Sequence, residues 1–388
     1  MMAPVLIRTP GVEATVAQTA KAVVFEGPEK FVLRELPLPD IGPEELMVEV
    51  LLCGVDGSEV HMFRGEVAWM NAAAPVIFGD EIVGRVAVIG NGARQKRGLD
   101  VGDRVIVEAR WGCNQCRPCI KGHYYLCRKN RVPVMTGYGV MNLDRAPGLW
   151  GGYATHAYVP AEAIVHKVPD GMDSKTALIA SGVLANGLRW SSFGDIGLGT
   201  RVAVVGPGPQ GLCTVLAAAR RGAQVVSIGL ESDAERLAVA KRFGAVETIA
   251  IAPGEDAATT RDRVIAAMGP IDVAIDVAGY APAKELALSL PQVLGAVVSP
   301  AVATPHVQPV DFMHMLRNEI TMFAPNSHPH SVKPALELAA QLLDEGIDLG
   351  EFVSHVYPLE AAEEAIRVTG GETDERPIKT ALDPTLSA

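Results

Sequence analysis

From Lys21 to about Pro169 the apolar positions fall in short runs broken by glycine and proline: AVVF, FVLREL, LMVEVLL, IVGRVAVIG, DRVIVEA and YATHAYV. Runs of that length, rich in β-branched residues and bounded by turn formers, predict strands. The first part of the chain therefore reads as all-β. The pattern changes at about Asp173. There TALIASGVLANGLRW, GLCTVLAAARRG and AERLAVAKRFG have helical spacing, alternating with the continuous apolar stretches RVAVVG, QVVSIG and IDVAIDV. Unbroken Val/Ile runs, each followed by a helix, are the mark of strands buried on both faces of a parallel sheet. This part is expected to be α/β, a doubly wound parallel sheet. After roughly Met322 come a long helix in SVKPALELAAQLLDEG, a strand-like FVSHVYPL, a helix in LEAAEEAIRVTGG and a last strand in PIKTAL. No internal repeat is visible.

Length and charge narrow the picture. A chain of 388 residues is long for one core and predicts two domains. A net charge of −11 with no basic stripe argues against a nucleic-acid partner. No apolar stretch approaches the length of a spanning helix, so no membrane partner is expected. The opening MMAPVLIRTPGVEATVAQTA lacks a basic start followed by an apolar run; it is read as a loosely ordered extension rather than a signal peptide. Cys53 and Cys213, the two cysteines outside the cluster described next, form no disulfide framework, which fits a reducing compartment, with cytoplasm as the expectation.

The most specific chemical signal is WGCNQCRPCIKGHYYLC, which holds Cys113, Cys116, Cys119 and Cys127. Two residues between neighbours let three thiolates fold around one centre, and a seven-residue excursion brings back the fourth. This predicts a closed, structural zinc site. Arg117, Lys121, Arg128 and Lys129 offset the charge of four thiolates on one divalent ion.

A second signal lies in RVAVVGPGPQGLCTVLAAARRGAQVV, where Gly206, Gly208 and Gly211 stand between an apolar strand and a helix, with a second strand beyond. In that context the glycines read as a dinucleotide loop: Gly206 for the tight turn, Gly208 for close approach to a pyrophosphate, Gly211 for packing of helix on sheet. The expected cofactor is NAD, with NADP open. QVVSIGLESDAER places Gly229 at the expected strand tip, where it would admit a 2′-phosphate, and Glu231 two residues on, where it would repel one.

A four-Cys lobe inside a Gly-rich β region, followed by a dinucleotide fold and a return to the first region, resembles the zinc-containing medium-chain dehydrogenase/reductase family of alcohol and polyol dehydrogenases. The resemblance implies a GroES-like β-rich catalytic domain over 21–181 and 325–388, with its zinc lobe at about 110–130. It further implies a Rossmann domain over 182–324, an N-terminal extension over 1–20, and a homodimer or homotetramer. The family's A-C-G-V-C-G-T-D-L-H segment matches LCGVDGSEVHMFRGE without a gap, which puts Asp56 at the first catalytic zinc ligand. Ser58 then falls on the hydroxyl that meets the substrate oxygen, and His61 on the histidine that passes the proton to solvent. The family's G-H-E triplet appears as Gly79-Asp80-Glu81, with Asp80 at the second ligand, and the third ligand aligns with Ser181. None of the three usual ligands is kept. A rival register, with Cys53 as ligand, needs an insertion before His61.

Asp56, Asp80 and Glu81 are therefore expected either to hold a harder cation or to act without metal, one carboxyl raised in pKa as acid or base. Lys379 matches the family's basic residue on the last strand; it is grouped with the cofactor-side residues and expected to pair with Glu81. Phe63, Trp69, Met70, Tyr138 and Trp150 read either as lining an apolar or aromatic cleft or, equally, as core. The leading expectation is a nicotinamide-dependent oxidoreductase that interconverts a small alcohol and its aldehyde or ketone without the usual catalytic zinc. A reductase of activated C=C or C=N bonds and a non-catalytic nucleotide-binding sensor are the alternatives.

Overall fold

The computed structural model describes residues 19–129, 136–302 and 310–387. The extension expected over residues 1–20 lies outside them except at its end, where the first strand, Thr19–Gly27, already begins. The chain divides into two compact units, residues 1–181 with 336–388 and residues 182–335. The return to the first unit falls inside helix Val332–Asp344 rather than at residue 325.

The first unit is built on a seven-stranded sheet whose central strand, Leu46–Val55, pairs antiparallel with Ile82–Ile89 on one side and Lys379–Leu382 on the other. A separate three-stranded sheet joins Lys30–Pro37, Thr19–Gly27 and Val76–Ile77. Its core is aromatic where the chemistry will sit. Phe25 stacks on Phe78 at 4.8 Å, and Phe31 lies 4.8 Å from Phe63 and 6.2 Å from Tyr153. Phe78 directly precedes Gly79-Asp80, so burial of its ring fixes the start of that loop. Offset and edge-on ring pairs of this kind contribute about 0.5–1.5 kcal/mol each beyond area burial.

The all-β expectation missed short helices in this unit, among them Gly57–Phe63, Ala68–Ala73 and Asn91–Arg97. The first of them was announced by Asp56-Gly57-Ser58-Glu59, a capping box in which a side-chain acceptor meets the N3 amide and an N3 carboxylate reaches back.

The second unit is a six-stranded sheet in the order Ala245–Ile251, Gln224–Leu230, Arg201–Val205, Ile271–Asp276, Pro291–Val298, Thr321–Phe323. All neighbours are parallel. The order reverses beside Arg201–Val205, which leaves a crevice at the C-terminal ends of the central strands. Helix Pro209–Arg220 starts there, and its run of small residues keeps it close to the sheet; Leu212, Cys213, Thr214 and Val215 are all fully buried.

Two glycines of this turn carry different constraints. A methyl on Gly211 would sit 1.8 Å from the Gly206 carbonyl oxygen, whereas one on Gly208 would meet nothing within 4 Å. Gly211→Ala should therefore lower stability by about 1–3 kcal/mol through overpacking, while Gly208→Ala leaves it nearly unchanged. Urea unfolding followed by near-UV circular dichroism checks the pair; equal midpoints for the two variants would contradict this packing.

Candidate active site and metal centre

The four cysteines of the lobe converge. Their sulfurs all lie within 4.8 Å of one another, Cys116 being 3.4 Å from Cys119 and 3.8 Å from Cys127. Tetrahedral ligands about 2.3 Å from one ion stand about 3.8 Å apart, so the donor set fits zinc. The local fold explains the convergence. Cys116 caps the short helix Arg117–Ile120, the 3-10 turn Tyr124–Leu126 returns Cys127, and a side chain at Gly112 would strike the Cys119 sulfur at 2.7 Å. Backbone N–H groups of Cys119 and Arg128 hold the Cys116 thiol down at about 6, favouring the thiolate that binds metal. A network absent from the sequence reading pins the lobe to the sheet: Glu108 accepts from the Tyr124 hydroxyl at 2.5 Å and lies 2.7 Å from His166 Nε2.

The second constellation grows from the end of strand Leu46–Val55. Asp56 caps helix Gly57–Phe63, accepting from the Glu59 amide at 2.9 Å and from the Ser58 hydroxyl at 2.7 Å. Glu59, which the sequence reading passed over, is the buried hub. One carboxylate oxygen accepts from the Gly79 amide at 2.8 Å; the other accepts from the Tyr153 hydroxyl at 2.8 Å and the Asp56 amide at 3.1 Å. Burial first, and then the charges of Asp56 and Asp80, push its pKa well above the ordinary range. Its signal was available: an acid three residues past an Asp cap, on the buried side of a short helix.

Asp80 follows Gly79 and lies 3.8 Å from Arg110. The side chain keeps 28% of its surface, yet loss of hydration is the largest influence on it. With Asp56 adding to that effect, and Arg110 opposing it, the carboxyl is pushed up to about 7. Glu81 points the other way, into an ion pair of 2.6 Å with Lys379, both nearly inaccessible. Lys379 is thus committed to Glu81 rather than presented as a cofactor contact.

His61 Nδ1 lies 2.5 Å from Glu66. The hydrogen bond described for the Ser58 hydroxyl goes to Asp56, so the structure joins Ser58 to Asp56 and His61 to Glu66, and does not join Ser58 to His61 directly. Ser181 lies in the π-helical turn Ile179–Leu184, and its hydroxyl donates to the Leu178 carbonyl at 2.7 Å.

A catalytic zinc does not fit this second constellation. Asp56 is used as a helix cap, and Ser181 is turned onto its own backbone. Among the described residues, the lobe cysteines are the group of three or more metal-ligating side chains whose donor atoms come together. Cys53, the ligand of the rival register, is fully buried, and its thiol is raised well above its ordinary value by burial. Of the residues proposed to line a cleft, Phe63, Met70, Tyr138 and Trp150 belong to the core; Trp69 alone is exposed, at 41%.

In the second unit Gly206 has φ +106 and backs onto Ala278, while Gly208 caps helix Pro209–Arg220 with open space before it. Free N–H groups and the positive end of the dipole make that a fitting seat for a pyrophosphate. Strand Gln224–Leu230 runs one residue past Gly229, so Glu231 is the first residue beyond it and is exposed. Gly229 itself has no room for a side chain: a methyl there would meet the Pro207 ring at 2.5 Å. At the end of the neighbouring strand, Asp276 accepts from the Ala278 and Gly279 amides and pairs with buried Lys284 at 2.8 Å. This holds the turn on which Gly206 rests, and the sequence reading had not marked it.

The folds and sites just described define a two-domain dinucleotide-dependent dehydrogenase with a structural metal lobe. Residues 42–170 match the family described as "Alcohol dehydrogenase GroES-like domain", and residues 209–341 that described as "Zinc-binding dehydrogenase". The chain belongs to the medium-chain alcohol/polyol dehydrogenase family and is an alcohol dehydrogenase-like oxidoreductase.

A Mycobacterium tuberculosis H37Rv relative named "Probable alcohol dehydrogenase adh" is 37% identical over 282 residues, 72% of this chain and 74% of that protein. Bacillus subtilis sorbitol dehydrogenase is 26% identical over 353 residues, 91% of this chain and 94% of that one. Among solved structures, a Thermotoga maritima alcohol dehydrogenase superposes with a TM-score of 0.80 at 25% identity, covering 95% of this chain and 100% of its own. A Sinorhizobium meliloti zinc-binding dehydrogenase bound to NADP gives 0.77 at 25% identity with the same coverage. Among the described residues, no helix is long and apolar enough to cross a membrane.

The two constellations make opposite demands on metal. Protein prepared without added zinc should carry one zinc per chain, and Cys116→Ser should release it and lower the thermal midpoint, because metal binding at such a lobe is folding energy. Elemental analysis beside calorimetry checks both; two zincs per chain would show that the Asp56 and Asp80 region ligates after all.

Proposed function

We propose that this protein interconverts a small alcohol and its aldehyde or ketone by hydride transfer with a nicotinamide dinucleotide, using Asp80 rather than a catalytic zinc for acid–base work. The reading is carried by the placement of Asp80: a partly exposed carboxyl 3.8 Å from Arg110, raised to about 7 mainly by loss of hydration, in the place where the resemblance puts a metal ligand. A catalytic acid or base works best with its pKa near the operating pH. The dinucleotide, when bound on Gly206, Gly208 and Gly211, supplies or accepts the hydride.

The side chains do the rest. Ser58 donates to Asp56 in the free protein and would turn that proton to the substrate oxygen on binding. Asp80 gives its proton to that oxygen in reduction and takes one in oxidation. His61, paired with the half-exposed Glu66, leads protons towards solvent. Apart from the structural lobe, nothing in this scheme needs metal. The same acid could protonate a carbon next to a reduced C=C bond, and product structure separates the two outcomes.

The sign of the pH dependence follows from the raised pKa. Below about 7 Asp80 keeps its proton and above it the carboxylate dominates. Carbonyl reduction should fall as pH rises through about 7 and alcohol oxidation should rise over the same range. Asp80→Asn should flatten both limbs and lower turnover by about a hundredfold or more. Initial rates in both directions from pH 5 to pH 9, in buffers of constant ionic strength, check this; unchanged limbs in the variant would move the acid–base role to Ser58 and His61.

Glu231 supports NAD as the preferred cofactor. An exposed carboxylate just past the second strand repels a 2′-phosphate and can accept from a ribose diol. Fluorescence titration should give a lower Kd for NADH than for NADPH, with Glu231→Gln narrowing the gap. A preference for NADPH in the wild type would contradict the assignment.

A further inference from the structure

A hydride reaching a carbonyl carbon leaves negative charge on the oxygen, and in the metal-dependent relatives implied by the resemblance a zinc ion meets it. If Asp80 only supplies a proton, this chain still lacks a cation at that point. The described residues offer one beside Asp80. We propose that Arg110 is that cation: its guanidinium meets the reacting oxygen together with Asp80 and stabilises the developing alkoxide. This inference rests on the functional reading given above.

The geometry points to it in three ways. First, Arg110 is aimed. Its Nη1 donates to the Ala109 carbonyl at 2.9 Å and the Tyr138 carbonyl at 3.0 Å, which fixes the guanidinium plane and turns Nη2 towards Asp80. Second, the space beside it is kept clear. A methyl on Gly137 would lie 2.4 Å from Arg110 Nη1, 2.7 Å from its Cδ and 2.7 Å from the Ala109 carbonyl oxygen, so a side chain at 137 would crowd both the guanidinium and a carbonyl that holds it. Third, the spacing suits a shared ligand. Nη2 and the Asp80 carboxylate are 3.8 Å apart, longer than a hydrogen bond. An oxygen about 2.9 Å from both would complete a triangle over that gap. Both side chains are partly exposed, at 18% and 28%, so neither is sealed off from a ligand.

The step balances without a further reactant. In reduction, hydride from the reduced nicotinamide forms the new C–H bond as the carbonyl π pair moves to oxygen, where Arg110 stabilises it. Asp80 transfers its proton to that oxygen and becomes a carboxylate facing Arg110. Oxidation runs the same path backwards. Arg110 is thus opposite an anion at either end of the cycle, first the alkoxide and then Asp80. Preorganised charge of this kind, aimed at the place where charge develops, is commonly worth 10²–10³ in turnover.

Arg110→Met should lower kcat for reduction about a hundredfold or more, with NADH affinity changed less than about twofold, and Arg110→Lys should recover part of the loss. Guanidinium chloride at low millimolar concentration should partly restore Arg110→Met, which a merely structural arginine would not permit. The pH limb should also move above 7 in Arg110→Met. Asp80 is faced by Arg110, Asp56, Glu59, Glu81 and Lys379, and the variant removes one of its two cations.

Zinc content and the unfolding midpoint report whether the variant is folded. If it is not, Gly137→Ala, itself checked by zinc content and unfolding midpoint because its methyl also crowds the Ala109 carbonyl, decides: Arg110 is retained but pushed off its carbonyls, and kcat should fall at least tenfold. Wild-type kcat retained within about threefold in folded Arg110→Met, or in Gly137→Ala, would overturn the proposal. Failure of the wild type to turn over any alcohol or carbonyl would instead overturn the functional reading, and the two failures are thereby distinct.

Discussion

The candidate catalytic region depends on one buried carboxylate. Glu59 gathers the Asp56 amide, the Gly79 amide and the Tyr153 hydroxyl on its two oxygens, and so fastens together three segments that are far apart in sequence. The Asp56 and Asp80 positions keep their spacing because both neighbouring amides hang on the same side chain. A buried acid is costly unless its lone pairs are used, and here each oxygen has an N–H or O–H donor. Aromatic packing of Phe25, Phe31, Phe63 and Phe78 excludes water from the same region, which makes those bonds stronger and an unmet one more expensive.

Much of the fold was legible from pattern alone. The parallel sheet announced itself through RVAVVG, QVVSIG and IDVAIDV, because strands covered on both faces need no polar alternation. The zinc lobe was equally plain, since cysteine spacing encodes a coordination geometry directly. What escaped were features decided by partners distant in the chain. Glu59 looks like an ordinary helix acid until Gly79 and Tyr153 are brought to it. Lys284 lies in an amphipathic helix and reveals its role only when Asp276 is packed beneath it. The residues open to both a cleft and a core reading could not be divided for the same reason: Met70 and Tyr138 are apolar or aromatic in either setting, and only the surrounding core shows that they face inward.

The replaced ligands also show how a motif can keep its outline while its chemistry changes. Gly79-Asp80-Glu81 preserves the glycine turn and the Glu81 ion pair of the resemblance, and only the central residue changes character. Glu81 with Lys379 is an interior ion pair of 2.6 Å. Asp80 is different. It sits where hydration is poor and like charges are close, and that environment makes a proton the affordable counter-ion.

Asp56 carries a consequence for how this branch of the family can change. As helix cap it stabilises the start of Gly57–Phe63 by about 1 kcal/mol, and it is also the acceptor for Ser58. Asp56→Cys alone would forfeit the cap and the Ser58 contact. The identity of residue 56 is thus tied to the start of a helix, so any other side chain placed there must first offset the lost cap.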